Sequence, residues 1–136
     1  MNDSIKNTLK QSSTIAIYGA STNKDKDSFK VMKFLQGKGF IVLPINPYAI
    51  NDFILGEKVF KSLQEIDKDI DILNIFRPSS EVLDITKQAI NKNIKTIWLQ
   101  LDIICKNSQN LLEKKEISFY QNKCIKIEYI KLFNDN

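Results

Sequence analysis

Five short apolar runs, each followed by a helical pattern or a turn, constrain this 136-residue chain more than any other feature. They are Thr14 to Tyr18, Phe40 to Ile45, Ile70 to Phe76, Thr96 to Leu101 and Ile117 to Gln121. Their near-unbroken apolar character is that of parallel strands buried on both faces, not of a half-solvated antiparallel sheet. Helical spacing follows at about Ser28 to Lys38, where Val31, Phe34 and Leu35 share a face, and after Ser79-Ser80, where Val82, Ile85 and Ala89 do. A further helix is expected at about Ser108 to Lys115. Right-handed crossovers turn this alternation into a single α/β domain with a doubly wound, parallel, five-stranded Rossmann-like sheet.

Local punctuation supplies the boundaries. Gly37-Lys38-Gly39 stops the first of these helices, because glycine adopts the left-handed conformation a helix end favours. Asn46-Pro47 breaks the chain, and an irregular stretch is expected through Ile54-Leu55-Gly56. Ser62-Leu63-Gln64-Glu65 has capping-box spacing, and Ser79 or Ser80 is expected to cap the next helix. Residues 1–13 read as a helical or frayed extension and 14–132 as the domain, with short helix or coil after Cys124.

Composition narrows the chemistry. There is no histidine, which removes a Ser-His-Asp triad, a Cys-His pair and His-ligated zinc together. Cys105 and Cys124 are too few for a closed metal site. A net charge of +4 suits an anionic small molecule, but the lysines form no stripe interleaved with aromatics, so nucleic acid is not expected. No apolar run approaches the ~20 residues that span a bilayer. The lysine-bearing start has no signal-peptide core, and the chain reads as cytoplasmic with reduced thiols.

In a doubly wound sheet, ligands bind outside the carboxyl ends of the strands at the switch point. The residues there are Gly19-Ala20-Ser21, Asn46-Pro47, Phe76-Arg77 and Trp98-Leu99-Gln100. Ile15 to Ser21 is a strand ending in one glycine ahead of a helix, an arrangement that delivers a phosphate to the helix N-terminus. The three-glycine dinucleotide fingerprint is absent. Ser21 and Ser28 are candidate phosphate donors or helix caps, and Lys24 and Lys26 candidate counter-charges. The second strand ends in Asn46, not in the ribose-binding carboxylate of NAD proteins. Arg77 offers a planar fork for phosphate beside the aromatic Phe76. Cys124 lacks an activating histidine, and Glu128 lacks an acid partner. No catalytic constellation emerges, so a binding module is expected.

In order and spacing, Gly19-Ala20-Ser21, Pro44-Ile45-Asn46-Pro47, Ile54 to Val59, Phe76-Arg77, Trp98 to Leu101 and Cys124 to Glu128 resemble the small bacterial CoA-binding proteins. These are stand-alone relatives of the CoA-binding domain of the succinyl-CoA synthetase α subunit. The resemblance covers about Thr14 to Leu132 and implies a Rossmann-like fold, coenzyme A as ligand and no established reaction. It implies that Gly19, Ala20 and Ser21 face the pyrophosphate, with Lys26 and Ser28 beside it. Asn46 and Pro47 would line the adenosine side, and Phe76 and Arg77 the rim. Trp98, Leu99, Gln100 and Cys124 would lie towards the pantetheine arm, where a mixed disulfide between Cys124 and CoA becomes conceivable. The chain departs from the family at Lys26-Asp27, usually Arg-Pro, at Asp102, generally glycine, and at Asn122 to Ile125, usually Asp-Arg-Cys-Pro. The alternatives are an NAD(P)-binding redox sensor or degenerate oxidoreductase, and a fragment of an acyl-CoA ligase or transferase, against whose autonomous activity the missing phosphohistidine and nucleotide-grasp domain argue.

Overall fold

A computed structural model describes residues 2–133. Its core is a five-stranded parallel sheet of β1 (Thr14–Tyr18), β2 (Ile41–Ile45), β5 (Ile72–Ile75), β6 (Thr96–Leu99) and β7 (Ser118–Tyr120). Strand order is β2-β1-β5-β6-β7, so direction across the sheet reverses between β1 and β5. Every residue of β1, β5 and β6 is buried, as the unbroken apolar runs require. The expected fold class is therefore the observed one.

Two apolar layers cover the sheet. On one face lie α1 (Asn2–Gln11), α2 (Asp27–Gly37) and α5 (Ile125–Phe133), packed over Ile15, Ile17, Ile72 and Trp98. On the other lie α3 (Ser79–Ile90) and α4 (Lys106–Leu112), with a 3₁₀ turn at Leu63–Glu65, packed over Ala16, Leu73, Ile75 and Ile97. The first residues form a helix whose Ile5 and Leu9 are buried. The stretch after Cys124, expected as short helix or coil, is the nine-residue α5. Among the described residues no helix is long and apolar enough to cross a membrane.

Several local expectations are corrected. Residues 53–58 form a hairpin, β3 (Phe53–Ile54) with β4 (Glu57–Lys58), where an irregular stretch was expected. Leu55 and Gly56 both take positive φ, 49° and 83°, the combination a tight two-residue hairpin turn needs. Leucine is not a residue that advertises such a turn. Neither Ser79 nor Ser80 caps α3: Pro78 occupies the N-cap position, and Ser79 Oγ instead accepts from the Ile104 N–H at 3.1 Å. Ser62 makes no side-chain cap, while Glu65 Oε1 reaches back to the Lys61 N–H at 3.4 Å. Helix α4 starts two residues earlier than expected, because the Cys105 thiol sulfur accepts from the Ser108 N–H at 3.4 Å. Pro44 is the fourth of the five residues of β2, which an edge strand tolerates. Its carbonyl accepts from the Phe60 N–H at 2.9 Å.

Candidate functional site

The carboxyl ends of β1, β2, β5 and β6 open onto three adjoining cavities that share lining residues. The first, about 290 Å³, lies under the turn after β2 and is lined by Ala20, Ser21, Asn46, Tyr48, Ile50 and Ile54, among others. The second, about 370 Å³, lies at the N-terminus of α2, lined by Gly19, Ala20, Ser21, Lys26, Asp27, Ser28, Asn46, Phe76 and Arg77. The third, about 360 Å³, extends past Phe76 to Val31, Gln100, Leu101, Asp102, Ile103, Cys124 and Ile127. Ala20, Ser21 and Asn46 join the first to the second, and Asp27 and Phe76 join the second to the third. The result is one crevice across the switch point of the sheet.

At its centre, the strand-to-helix turn is shaped by Gly19, whose φ is +97°. The Gly19 and Ala20 N–H groups both donate to the Ile45 carbonyl, at 2.8 and 3.2 Å. These two amides are therefore spent on holding β1 to β2. Anion-binding capacity falls instead to the first turn of α2, whose leading N–H groups no helix can pair internally. Lys26 is the N-cap residue and makes no side-chain cap, and Ser28, the second residue of the helix, is buried in that first turn. The loop before it folds on itself: Ser21 Oγ accepts from the Asn23 N–H at 3.0 Å and Asn23 Oδ1 from the Asp25 N–H at 2.9 Å. Lys24 sits on that exposed loop, outside the lining of the three cavities.

Asn46 is a structural clamp as well as a lining residue. Its Nδ2 donates to the Ala20 carbonyl at 2.7 Å, and its Oδ1 accepts from the Tyr48 N–H at 2.8 Å. An amide serves both bonds; the carboxylate of an NAD protein would lose the first. Pro47 is exposed in the turn that follows. Arg77 is not an unengaged phosphate fork. Nε and Nη2 pair with the two Glu81 carboxylate oxygens at 3.0 and 2.7 Å, and the guanidinium lies 5.6 Å from the Tyr48 ring centroid. That pairing holds the Glu81 carboxyl below its usual range, against a smaller opposing effect of burial. Burial, reinforced by Asp84 and Glu81, pushes the Tyr18 phenol up.

Towards the third cavity the proposed arm residues separate. Trp98 and Leu99 are fully buried and line none of the three cavities. Trp98 Nε1 donates to the Lys123 carbonyl at 2.8 Å, so the indole fastens the loop ahead of α5. Gln100 and Cys124 do line the cavity, together with Leu101, Lys126 and Ile127 from the same stretches, and with Lys30 and Ile103, which the sequence did not single out. Asp102, where the resembled family generally has glycine, has φ +70°. Aspartate tolerates this left-handed conformation better than most residues, and its N–H is held by Asn122 Oδ1 at 2.8 Å.

Fold and crevice together define a Rossmann-like α/β domain with an open crevice at the switch point of its sheet. A family model described as CoA binding domain matches residues 13–130, and the chain belongs to that family. It is 32% identical over 125 residues to the uncharacterized protein YneT of Bacillus subtilis, covering 92% of this chain and 91% of that one. It is 33% identical over 82 residues to an ADP-forming acetate–CoA ligase of Methanocaldococcus jannaschii, covering 60% of this chain and 11% of the ligase. A solved structure from Thermus thermophilus superposes with a TM-score of 0.93 at 28% identity, covering 98% of this chain and 99% of that one.

Proposed function

We propose that this chain binds coenzyme A, or an acyl-CoA, without catalysing a reaction on it. The observation that carries this reading is the row of three joined cavities, which matches the three chemical parts of the ligand in order. The nucleoside would lie beneath Tyr48 and Asn46, and the pyrophosphate against the first turn of α2 with Lys26. The pantetheine arm would pass Phe76 towards Gln100 and Cys124. The absence of a carboxylate on Asn46 suits a phosphorylated ribose.

Thermal unfolding of the chain with CoA, dephospho-CoA, NAD and NADP tests this reading. A ligand at 100 times its Kd stabilises by about 2.7 kcal/mol, which raises Tm by roughly 5–10 °C for a domain of this size. CoA is expected to give such a shift and dephospho-CoA a smaller one. Stabilisation by NAD or NADP alone would overturn the proposal in favour of the redox-sensor reading.

Asp27 makes a second, opposed prediction. At the first position of α2 its carboxylate favours the helix macrodipole, yet it lines the cavity where the pyrophosphate would sit. Asp27→Asn is expected to lower stability by about 0.3–1 kcal/mol while tightening CoA about fivefold to tenfold at low salt. The gain should shrink as salt is added. Weaker CoA binding by the variant would show that the phosphates lie elsewhere.

A further inference from the structure

We infer that the third cavity is built for the aliphatic acyl group of an acyl-CoA thioester, not for the bare thiol of CoA; this rests on the CoA reading above. Large apolar side chains gather at this end of the crevice. Val31 and Phe76 form its inner wall, and Leu101, Ile103 and Ile127 its mouth. Leu101 and Ile127 are 52% and 49% exposed, and the adjacent Ile104 is 51% exposed. A thiol needs no such rim, whereas a hydrocarbon chain leaving the pantetheine end would cover it.

The rim is held in place. The Asp102 N–H donates to Asn122 Oδ1 at 2.8 Å, and the Asn122 N–H donates to the Ile103 carbonyl at 3.1 Å. The Ile104 N–H donates to Ser79 Oγ at 3.1 Å. With the loop tied to two neighbours, its apolar side chains stay at the mouth.

The second observation is Gln100, which is 6% exposed and lines the cavity. Its Oε1 accepts from Asn74 Nδ2 at 3.3 Å and from the Ile125 N–H at 3.4 Å. A backbone N–H can only donate, so the orientation of this amide is fixed. Nε2 has no partner among the described residues, so it is the donor Gln100 presents to the cavity. An unpaired donor open to the cavity beside an apolar mouth suits a thioester carbonyl with an alkyl chain beyond it. A thiol offers only a weak acceptor in that place.

The test is calorimetric titration of the chain with CoA and with acetyl-, butyryl-, hexanoyl- and octanoyl-CoA. The Kd is expected to fall up to about fourfold per added methylene until the chain outgrows the rim. Leu101→Ser with Ile127→Ser, both at half-exposed positions, is expected to flatten that slope, each variant being referred to its own CoA affinity. Gln100→Glu keeps the oxygen that holds Asn74 and Ile125 and removes the donor. It is expected to weaken acetyl-CoA relative to CoA by about fivefold. CoA binding with a flat acyl series would overturn this inference and leave the CoA reading standing, whereas binding of no member would overturn both. An unchanged slope in the double variant would place the chains elsewhere. A dimer by sedimentation velocity that the double variant dissociates would give the rim to a second copy. Either of these two results would overturn the inference.

Discussion

Gly19→Ala is expected to destabilise the fold by about 2–3 kcal/mol and to weaken CoA at least roughly tenfold. Two costs coincide at this residue. Its φ of +97° is strained for any residue with a Cβ, and an added Cβ would stand 3.1 Å from the Phe76 carbonyl oxygen and from Arg77 Cδ. Neither neighbour yields easily. Phe76 contributes backbone that donates to the Tyr18 carbonyl at 2.8 Å, and Arg77 is anchored by its two-pronged pair with Glu81. Gly39→Ala supplies the control. It has nearly the same φ, +95°, but nothing lies within 4 Å of its added Cβ. It should lose about 1 kcal/mol, from backbone strain alone, and keep its CoA affinity. At roughly 3 °C per kcal/mol, the two variants separate clearly in Tm. Equal losses would mean that the close approach at Gly19 contributes nothing.

The contrast between these glycines shows why some of this molecule was legible in its sequence and some was not. Strand runs are read from side chains that must all be buried, so Thr14 to Tyr18 is observed with the expected boundaries. The turn after it was equally visible, because only glycine suits that backbone. Partnerships between distant side chains carry no such local mark. Nothing adjacent to Arg77 says that Glu81 will occupy its fork until the helix places them one turn apart. Nothing near Gly19 says that its N–H belongs to Ile45, since that bond depends on which strands pair. Trp98 to Gln100 illustrates the same limit within three residues. Period-two alternation sends Trp98 and Gln100 to one face, but only the position of the strand end decides that Gln100 reaches the crevice and Trp98 stays in the core. The mouth of the third cavity is assembled from the loops after β6 and β7 and the start of α5, so no single stretch of sequence displays it.

At the opposite end of the sheet, Asp71→Ala is expected to cost about 2 kcal/mol, and to remove part of the pH dependence of stability. Asp71 Oδ2 accepts from the Ser13 and Thr14 N–H groups at 2.7 and 3.0 Å, and Oδ1 lies 3.2 Å from Lys95 Nζ. Its own backbone bridges the same strands, donating to the Thr14 carbonyl and accepting from Thr96, so one residue ties the starts of β1, β5 and β6. Burial alone would raise the carboxyl above its ordinary value of 3.8. The two backbone donors and Lys95 together outweigh burial and hold it lower. A folded pKa below the unfolded one means the folded state binds fewer protons. The stabilisation is therefore complete above the unfolded value and is lost as pH falls through the folded one. Urea midpoints measured from pH 6 down to pH 2 check the sign. Asp71→Asn retains an acceptor but no charge, so it should lose less stability than the parent over that acid range, with the urea m-value unchanged. If both chains lost stability in parallel, the clamp would be a neutral hydrogen bond, and acid sensitivity would have to come from other carboxylates, with Glu81 beside Arg77 the next to test.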